Sequence, residues 1–580
     1  MRGDILRILH IKIHNFRGII DEEFELQPYT LLIGSNNAGK STVVDAIRSF
    51  YEKDKYTFQE NSDFPQKGSL DNESWIEITF SLTDDEYKSL ADTYKYETNK
   101  LKVRKYFRTS TQLLDGKTAK GAIVGYKSDG SISNERFYGV QNVQTGKLGT
   151  VIYIPAISKV DDFTKLSGPS ALRDLITNIL SGVIQGSETY TLFAKSVDEF
   201  SKKIKTSKTD DDKSLMGFES ELNEMLNNWG TEFSMSFKTP SATELIKNMV
   251  QWDLVDEVLE KAQSADKFGS GFQRHFIYSI IRLANDYMPN TVKSKTKDFC
   301  PKMNLLLFEE PETFLHPPQQ NRLCSDLIQL SKNDWWQVLA TTHSSHFVSK
   351  STDAIPSLVH LAKNNGNAHI HYINSVDWED IIKNNDKVFS IIKKYPKVSK
   401  RTQLECAEPN LEALRYFLCL NAERSNAFFA SNTILVEGAS EVGLINRFIA
   451  DGTILNAAGV CVFDCIGKYN VHRFMNLFGK LGITHTVIID DDCNKKGDEL
   501  KFQKEINEMI NSSKNSYTTN VVTVPGNLEQ LLGIATTSNG NQKPQNILFK
   551  YDNDEIPKEN IDKFINIINA ALSGTELYTI

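Results

Sequence analysis

The sequence lacks any segment that predicts a membrane span or a secretory leader. No window approaches the roughly 18 consecutive apolar positions that a membrane-spanning helix needs. The opening stretch MRGDILRILHIKIHNFRG is interrupted by charge every two or three residues, so it has no apolar signal-peptide region. We therefore expect a cytoplasmic protein.

Cysteine is scarce and scattered along the chain. The 580 residues contain 7 cysteines, and no two of them form a CxxC pair. This spacing disfavours a disulfide framework and a zinc knuckle alike, and reduced thiols in the cytosol fit it best.

An excess of positive charge is also absent. The formal net charge is −8, whereas a surface that binds DNA nonspecifically needs clustered Lys and Arg to neutralise phosphates. Three local basic stretches remain, at 100–108, 293–297 and 393–401, and each is more often a solvated face than a nucleic-acid track. The 40% hydrophobic and 24% charged content is that of an ordinary globular protein.

A loop between a predicted strand and a predicted helix matches a phosphate-binding motif. The stretch GSNNAGKS follows the apolar YTLLI and satisfies GxxxxGK[ST]. In such loops backbone N–H groups wrap the phosphates, and the helix N-terminus adds its positive end. Lys40 would reach the β and γ oxygens, and Ser41 would offer its hydroxyl to Mg²⁺. The predicted nucleotide contacts are Gly34, Asn36, Asn37, Gly39, Lys40, Ser41 and Thr42.

A second nucleotide motif begins at residue 305. The apolar stretch LLLF ends in Glu309 and Glu310, which predicts a strand with paired carboxylates at its end. Beside a P-loop, this is a Walker B motif in which Glu309 holds the Mg²⁺ shell and Glu310 orients or deprotonates the attacking water. His343 follows the apolar stretch VLATT and is placed to sense the γ-phosphate.

These motifs together resemble the ABC-type ATPases of the RecF and SMC class. The matching stretches are IHNFRG, GSNNAGKS, FGSGFQR, FEEPETFLHP and TTHSSHF. The resemblance implies a dimer with ATP at its interface, in which Ser270 and Gly271 complete the nucleotide site of the opposing protomer. Phe272 replaces a glycine of the usual SGGQ signature and Glu309 replaces the usual Asp, so we expect slow hydrolysis.

Three adjacent aspartates follow an apolar run in HTVIIDDD. Strand alternation would place Asp490 and Asp492 on one side and Asp491 on the other. Hard oxygen ligands on one side suit Mg²⁺ or Mn²⁺. The alternative is a solvated turn, and the surrounding sequence is needed to distinguish it from a metal site.

The residues around this cluster resemble a TOPRIM domain. In LVEGASE, Glu437 ends a predicted strand, Gly438 stands where the backbone must turn or closely approach a ligand, and Glu441 begins a helix. Gly467 follows CVFDCI, and Glu529 lies in NLEQLL. The resemblance implies a catalytic Glu followed by a DxD pair on a small parallel sheet.

An ABC-type ATPase followed by a TOPRIM domain is similar to the OLD (overcoming lysogenization defect) nucleases. The resemblance implies an ATP-regulated DNA endonuclease of antiphage defence, with one Mg²⁺ at the nucleotide and two Mg²⁺ or Mn²⁺ ions in the TOPRIM domain. Lys543 would stabilise charge in the transition state. Implied partners are DNA, a second copy of the chain, and a UvrD-like helicase or a retron reverse transcriptase with its DNA. The implied TOPRIM metal ligands are Glu437, Glu441, Asp490, Asp492 and Glu529.

We therefore predict an α/β protein made of an ATPase domain with a helical insertion, followed by a TOPRIM domain with a parallel sheet. Two other functions stay open: a DNA-binding repair or structural ATPase whose TOPRIM domain does not cut, and a topoisomerase or primase. The missing CxxC weakens the primase alternative. The predicted bounds are 1–164 and 266–375 for the split ATPase domain, 165–265 for a dimerising insertion, 376–430 for a connector and 431–580 for the TOPRIM domain.

Overall fold

The structure is a computed structural model of the chain, and it leaves several segments outside its description. Ser270 and Gly271 of the predicted signature and the basic stretch 293–297 lie outside the described residues. The residues described are 6–52, 56–138, 148–156, 171–250, 254–256, 260–263, 267–269, 272–273, 276–277, 279–280, 283, 299, 303–348, 354–398, 409–455, 457–535 and 542–574.

The strands fall into the first 154 residues, a short central hairpin and two later series. They are β1 Arg7–Phe16, β2 Ile19–Glu25, β3 Tyr29–Ile33, β4 Ser74–Ser81, β5 Lys100–Arg108, β6 Ile123–Tyr126, β7 Ile132–Arg136, β8 Thr150–Ile154, β9 Leu254–Asp256, β10 Lys261–Gln263, β11 Asn304–Glu309, β12 Trp336–Thr341, β13 Leu358–Asn364, β14 Asn367–Tyr372, β15 Asn432–Val436, β16 Val460–Asp464, β17 His485–Asp490 and β18 Thr518–Val524.

The helices separate and cover these strands. They are α1 Lys40–Tyr51, α2 Glu60–Asp63, α3 Asp84–Ser89, α4 Ala171–Gln185, α5 Glu188–Thr206, α6 Leu215–Leu226, α7 Ala242–Met249, α8 Pro317–Ser331, α9 Ala354–Ser357, α10 Ser375–Asn385, α11 Lys387–Lys394, α12 Pro409–Cys419, α13 Ala439–Ala450, α14 Val471–Lys480, α15 Gly497–Ser512, α16 Leu528–Leu532, α17 Lys543–Asp552 and α18 Lys558–Ser573. Short 3₁₀ turns cover Asp92–Tyr94, Asn227–Trp229, Ser345–Phe347, Arg424–Phe429 and Lys468–Asn470.

The N-terminal part contains two six-stranded sheets. One is antiparallel, with the order β2-β1-β4-β5-β6-β7. The other has the order β14-β13-β3-β12-β11-β8, and β3 pairs in parallel with β12 and β13 while β11 pairs in parallel with β12. Because parallel strands end at the same edge of a sheet, the residues that follow β3, β11 and β12 lie close together.

Residues 154–295 form a separate compact unit. Its described residues are mainly helical, and three of its helices begin at a serine whose hydroxyl accepts a backbone N–H, which satisfies an otherwise unpaired donor of the first turn. At Ser241 the cap is reciprocal, because the Glu244 carboxylate accepts the Ser241 N–H at 2.7 Å. Dimerisation through the predicted insertion 165–265 stays a prediction.

The predicted connector, 376–430, contains helices with buried contacts. On α10, the Asn385 amide donates to Glu412 at 2.9 Å and to the Tyr416 hydroxyl at 3.0 Å, and both partners lie on α12. The Tyr416 hydroxyl donates to the carbonyl of Arg473 on α14, at 2.9 Å. These buried polar bonds fix the segment against α14, since each would cost free energy if left unpaired.

The C-terminal domain is built on a four-stranded sheet with the order β16-β15-β17-β18, in which every pair is parallel. Its core is apolar and includes Ile434, Leu444, Ile488 and Phe564, all at most 1% exposed. The predicted α/β class with a parallel C-terminal sheet is confirmed. Among the described residues, no helix is long and apolar enough to span a membrane.

Because of His472 on α14, we expect the folded protein to lose stability as the pH falls. His472 is fully buried, and burial, with a smaller contribution from Arg473, lowers its pKa from 6.5 to about 3. Below pH 6.5 the unfolded chain therefore binds a proton that the folded chain excludes, and stability falls by about 1.4 kcal/mol per pH unit until the folded pKa is reached. We expect the melting temperature to fall less between pH 7 and pH 5 in His472→Gln than in the wild type. Equal losses would contradict this, and exposed His316→Gln is the matched control.

Candidate nucleotide and metal sites

The P-loop joins β3 to α1 at the edge where the parallel strands end. Gly34 has φ 139°, and a Cβ there would lie 2.2 Å from the carbonyl oxygen of Leu361 on β13, so only glycine fits. Asn36, Asn37 and Ser41 are exposed, while Gly39, with φ 109°, precedes the first helical residue. The loop thus presents its backbone and the N-terminus of α1 to solvent, as phosphate binding requires.

Lys40 is buried at the base of this loop. Its Nζ donates to the carbonyl oxygens of Gly34 at 2.8 Å and Ser35 at 2.9 Å. Burial lowers its pKa to about 8, and the nearby carboxylates of Glu310 and Glu312 oppose that shift. The ammonium therefore lies between the loop and the carboxylates that follow β11.

Glu309 ends β11 with one carboxylate oxygen bound and the other unpaired. The Tyr153 hydroxyl donates to Oε2 at 2.8 Å, whereas Oε1 is buried and has no hydrogen-bond partner among the described residues. A buried, unpaired carboxylate oxygen beside a P-loop fits the coordination shell of a Mg²⁺ ion.

Glu310 and His343 face each other across the ends of β11 and β12. The His343 Nε2 lies 3.8 Å from a Glu310 carboxylate oxygen, and burial together with Lys40 lowers the His343 pKa to about 4. The imidazole is therefore neutral near pH 7. Glu310 has φ 43°, and its N–H donates to the Thr341 carbonyl at 2.9 Å, which turns the chain sharply after the strand.

Glu312 belongs to this site, although the sequence reading did not select it. It is buried, accepts the backbone N–H of His343 at 2.7 Å, and keeps one carboxylate oxygen without a partner among the described residues. Burial raises its pKa. Its presence in the motif FEEPE was the available signal.

In the C-terminal domain, Glu437 and Asp490 meet at the carboxyl edge of β15 and β17. A carboxylate oxygen of Glu437 accepts the backbone N–H of Asp490 at 2.8 Å. Burial raises the pKa of both carboxyl groups, and for Asp490 the charges of Glu437, Glu441 and Asp492 raise it further. Mutual repulsion of this kind is relieved by a cation.

Asp492 lies in the same cluster, but a turn of the backbone and not strand alternation directs its side chain there. The strand β17 ends at Asp490, and Asp492 has φ 52°, so strand alternation does not extend to Asp492, although its carboxylate lies in the same cluster as Asp490. A turn, rather than a strand, directs Asp492 to the cluster. Asp491 accepts the backbone N–H groups of Gly526 at 2.7 Å and Cys493 at 2.9 Å and so holds this turn.

Glu441, Glu529 and Lys543 lie beside this cluster. Burial, together with the charges of Glu437 and Glu529, raises the Glu441 pKa to about 7. Lys543 Nζ forms an ion pair with the buried Glu529 at 2.7 Å, and this hydrogen bond raises the Lys543 pKa.

Gly438, where we expected the backbone to turn or to approach a ligand closely, does not adopt a left-handed turn, and the close approach to a ligand stays a prediction. Its φ of −165° is extended backbone that any residue adopts, and its N–H donates to Glu441 at 3.2 Å. Gly467 does have a positive φ, of 109°, and its N–H donates to the Glu437 carbonyl at 2.7 Å. Gly467 therefore brings the end of β16 against the end of β15.

Lys468, which the sequence reading did not select, projects into the carboxylate cluster. Its Nζ lies 2.7 Å from Asp492 Oδ2, 2.6 Å from the Asp490 carbonyl oxygen and 3.8 Å from Glu437 Oε1. The signal that could have found it is its place directly after Gly467 in the loop that follows β16. Within the described part of the chain, no group of three or more Asp, Glu, His or Cys side chains is arranged to hold a metal ion.

Comparison with known families assigns both domains. The AAA ATPase domain model matches residues 7–348, and the model for the TOPRIM domain of overcoming lysogenization defect protein-like proteins matches residues 428–492. The chain belongs to the AAA ATPase domain family and carries an OLD-like TOPRIM domain. The predicted resemblance to an ATPase with an OLD-like TOPRIM domain is thereby confirmed.

Three similar proteins carry nuclease names. The "Old nuclease" of Escherichia phage P2 is 25% identical over 502 residues, covering 84% of this chain and 77% of that protein. "Endonuclease GajA" of Bacillus cereus strain VD045 is 23% identical over 520 residues, covering 87% and 78%. "Endonuclease GajA" of Bacillus cereus strain HuB5-5 is 28% identical over 274 residues, covering 46% and 36%.

The donor set of the TOPRIM domain fits a hard divalent cation. Glu437, Asp490 and Asp492 offer only oxygen atoms, which Mg²⁺ and Mn²⁺ prefer, and their repulsion favours an added positive charge. Lys468 already supplies one such charge, so the cluster is assembled around an ammonium.

The basic stretch 100–108 and the described part of the stretch 393–401 are partly neutralised by carboxylates. Salt bridges of this kind leave less charge for phosphates, and the stretch 293–297 lies outside the described residues. The pairs are Lys102 with Glu77 at 2.7 Å, Lys105 with Glu52 at 2.8 Å and Lys394 with Glu505 at 2.7 Å.

Proposed function

We propose that this chain is a metal-dependent DNA endonuclease that cuts in its TOPRIM domain under control of the nucleotide state of an ATPase dimer, in antiphage defence. The observation that carries the proposal is that Glu437, Asp490 and Asp492 meet beside the Lys468 ammonium at the carboxyl-terminal edge of a parallel sheet. The endonuclease names of the similar proteins support the reaction class.

Divalent cations, when bound, would supply an activated water and a stabilised leaving oxygen for phosphodiester hydrolysis. Glu437, Asp490 and Asp492 would hold one ion, and Glu441 with Glu529 would hold a second. Glu437 also fixes the backbone at Asp490 through its hydrogen bond, so the two strand ends keep their spacing. Lys543, paired with Glu529, would face the charge that develops on the phosphate.

At the nucleotide, the loop from Gly34 to Lys40 would hold the phosphates, and Ser41 with Glu309 would hold the accompanying Mg²⁺. Glu310 would orient the attacking water, and neutral His343 can donate a hydrogen bond toward the γ-phosphate.

A series of contacts leads from His343 in the nucleotide site to the loop that carries Lys468 in the TOPRIM domain, and these contacts support nucleotide control. The His343 ring lies 6.5 Å, centroid to centroid, from Phe429, which ends the 3₁₀ turn Arg424–Phe429. Arg424 of the same turn donates to the Asp464 carboxylate at 2.9 Å, and Asp464 also accepts the Ile466 N–H at 2.7 Å. A movement at His343 could thus reach the loop that carries Lys468.

The proposal includes a dimer in which Ser270 and Gly271 of one protomer complete the nucleotide site of the other. A UvrD-like helicase, or a retron reverse transcriptase with its DNA, is the proposed class of partner, and the neighbouring genes test that part.

Incubation of supercoiled plasmid with the protein and Mg²⁺ or Mn²⁺ tests the reaction. We expect nicked and linear DNA whose ends carry no protein, and no product in EDTA. A covalent 5′-tyrosyl adduct would indicate a topoisomerase instead. Retention of intact plasmid, with binding but no cleavage under either metal, would favour a DNA-binding ATPase.

A further inference from the structure

Lys468 is an ammonium enclosed by the carboxylate cluster of the TOPRIM domain. Its side chain is 5% exposed, and its Nζ contacts an oxygen of Asp492, the Asp490 carbonyl and, at 3.8 Å, Glu437. A buried charge persists only when it is paired and hydrogen-bonded, and these oxygens meet that condition. The ammonium stands between the same carboxylates that would ligate a divalent cation.

We propose that Lys468 is a built-in competitor of the divalent cation, which holds the carboxylates together in the metal-free protein and must leave Asp492 before a metal ion binds there. This inference rests on the proposed metal site and adds a control on its occupancy. An ammonium carries one positive charge and a Mg²⁺ or Mn²⁺ ion carries two, so exchange leaves the three acidic groups better neutralised. The exchange costs the charge-assisted hydrogen bond of Lys468.

The loop that carries Lys468 has room to move. A cavity of about 300 Å³ lies against it and is lined by Ile466, Gly467, Tyr469 and Asn470 on the loop side. Gly467 has φ 109°, a conformation that glycine adopts without strain, and nothing lies within 4 Å of where its Cβ would be. Withdrawal of Lys468 toward this cavity would free the Asp492 carboxylate without unfolding the sheet.

A purely structural salt bridge makes the opposite prediction for metal binding. If Lys468 only stabilised the fold, its removal would loosen the carboxylates and weaken metal affinity. If Lys468 competes with the metal, its removal leaves the acidic groups unneutralised and strengthens metal affinity. The sign of the change in affinity therefore separates the two roles.

The experiment measures Mn²⁺ binding to nucleotide-free, full-length protein, with free Mn²⁺ followed by electron paramagnetic resonance. We expect Lys468→Met and Lys468→Gln each to lower the Mn²⁺ Kd by on the order of tenfold, the equivalent of one charge-assisted hydrogen bond. In EDTA both variants should melt at a lower temperature than the wild type, and Mn²⁺ should restore them. The glutamine variant keeps a hydrogen-bond donor toward Asp490 and Asp492, so the test still stands if the methionine variant fails to fold.

Two control variants show whether a change in Mn²⁺ affinity is due to Lys468 and to the proposed metal site. Lys495→Met removes a lysine three positions after Asp492 that pairs with Glu499 instead, and we expect its Kd to equal that of the wild type. Glu437→Gln should lose the Mn²⁺ site. Unchanged or weaker binding in both Lys468 variants, with loss in Glu437→Gln, would overturn this inference alone. Unchanged binding in Glu437→Gln would overturn the metal site, and the inference with it.

Discussion

Glu437→Ala and Asp490→Ala should each abolish metal-dependent DNA cleavage while ATP binding survives. Each substitution removes a carboxylate from the cluster around Lys468, and Glu437→Ala also breaks the 2.8 Å hydrogen bond to the Asp490 backbone. Loss of a group that merely orients a metal ligand commonly costs roughly 10–100-fold, so loss of a ligand should exceed roughly 100-fold. Plasmid cleavage rates and the ATP dissociation constant are the two measurements.

Asp498→Ala is the matched control for these variants. Asp498 lies in the same domain on α15, and its exposed carboxylate pairs with Lys501 at 3.8 Å. We expect wild-type cleavage from it. Wild-type cleavage by both Glu437→Ala and Asp490→Ala would instead show that the catalytic carboxylates lie elsewhere.

The parts of the fold that the sequence predicted are those encoded in contiguous residues. The P-loop is a run of adjacent residues between an apolar strand and an amphipathic helix, Glu309 is the last residue of an apolar strand, and Glu437 directly follows another. Parallel sheets then bring such strand ends to one edge. The ATPase and TOPRIM assignments and the α/β class are confirmed for this reason, while the roles of the individual site residues stay predictions.

Contacts between residues that are far apart in the chain could not be predicted from the sequence. The Tyr153 hydroxyl meets Glu309 across 156 positions, and no local pattern marks that pair. Lys468 meets Asp492 across 24 positions because Gly467 turns the end of β16 toward β15. A lysine in a loop usually points to solvent, so only the folded geometry shows that Lys468 is buried.

Two residues with left-handed backbone mark the points where strand periodicity stops. Asp492, with φ 52°, and Glu310, with φ 43°, both follow a strand and bend the chain. Single non-glycine residues with positive φ are uncommon, so the periodic rule for strands does not anticipate them. The turn at Asp492 leaves its carboxylate in the cluster of Asp490, where continued alternation would also have placed it, and the turn at Glu310 leaves its carboxylate 3.8 Å from His343.

Lys40→Ala should lose ATP binding and, with it, nucleotide control of cleavage. The Lys40 ammonium is buried, held by the carbonyls of Gly34 and Ser35, and its pKa is lowered to about 8 mainly by burial. An incoming triphosphate would supply the countercharge that the loop lacks. Truncating one partner of a buried charge pair costs about 2–5 kcal/mol, which is roughly 30-fold or more in affinity.

Titration with a fluorescent ATP analogue measures the loss of affinity, and plasmid cleavage with and without ATP measures the loss of control. Lys120→Ala is the matched control, because Lys120 is 57% exposed and pairs with Glu60 at the surface. Metal-dependent cleavage without nucleotide should continue in Lys40→Ala, since the TOPRIM carboxylates are intact. A cleavage response to ATP identical to that of the wild type would count against the P-loop as the controlling site.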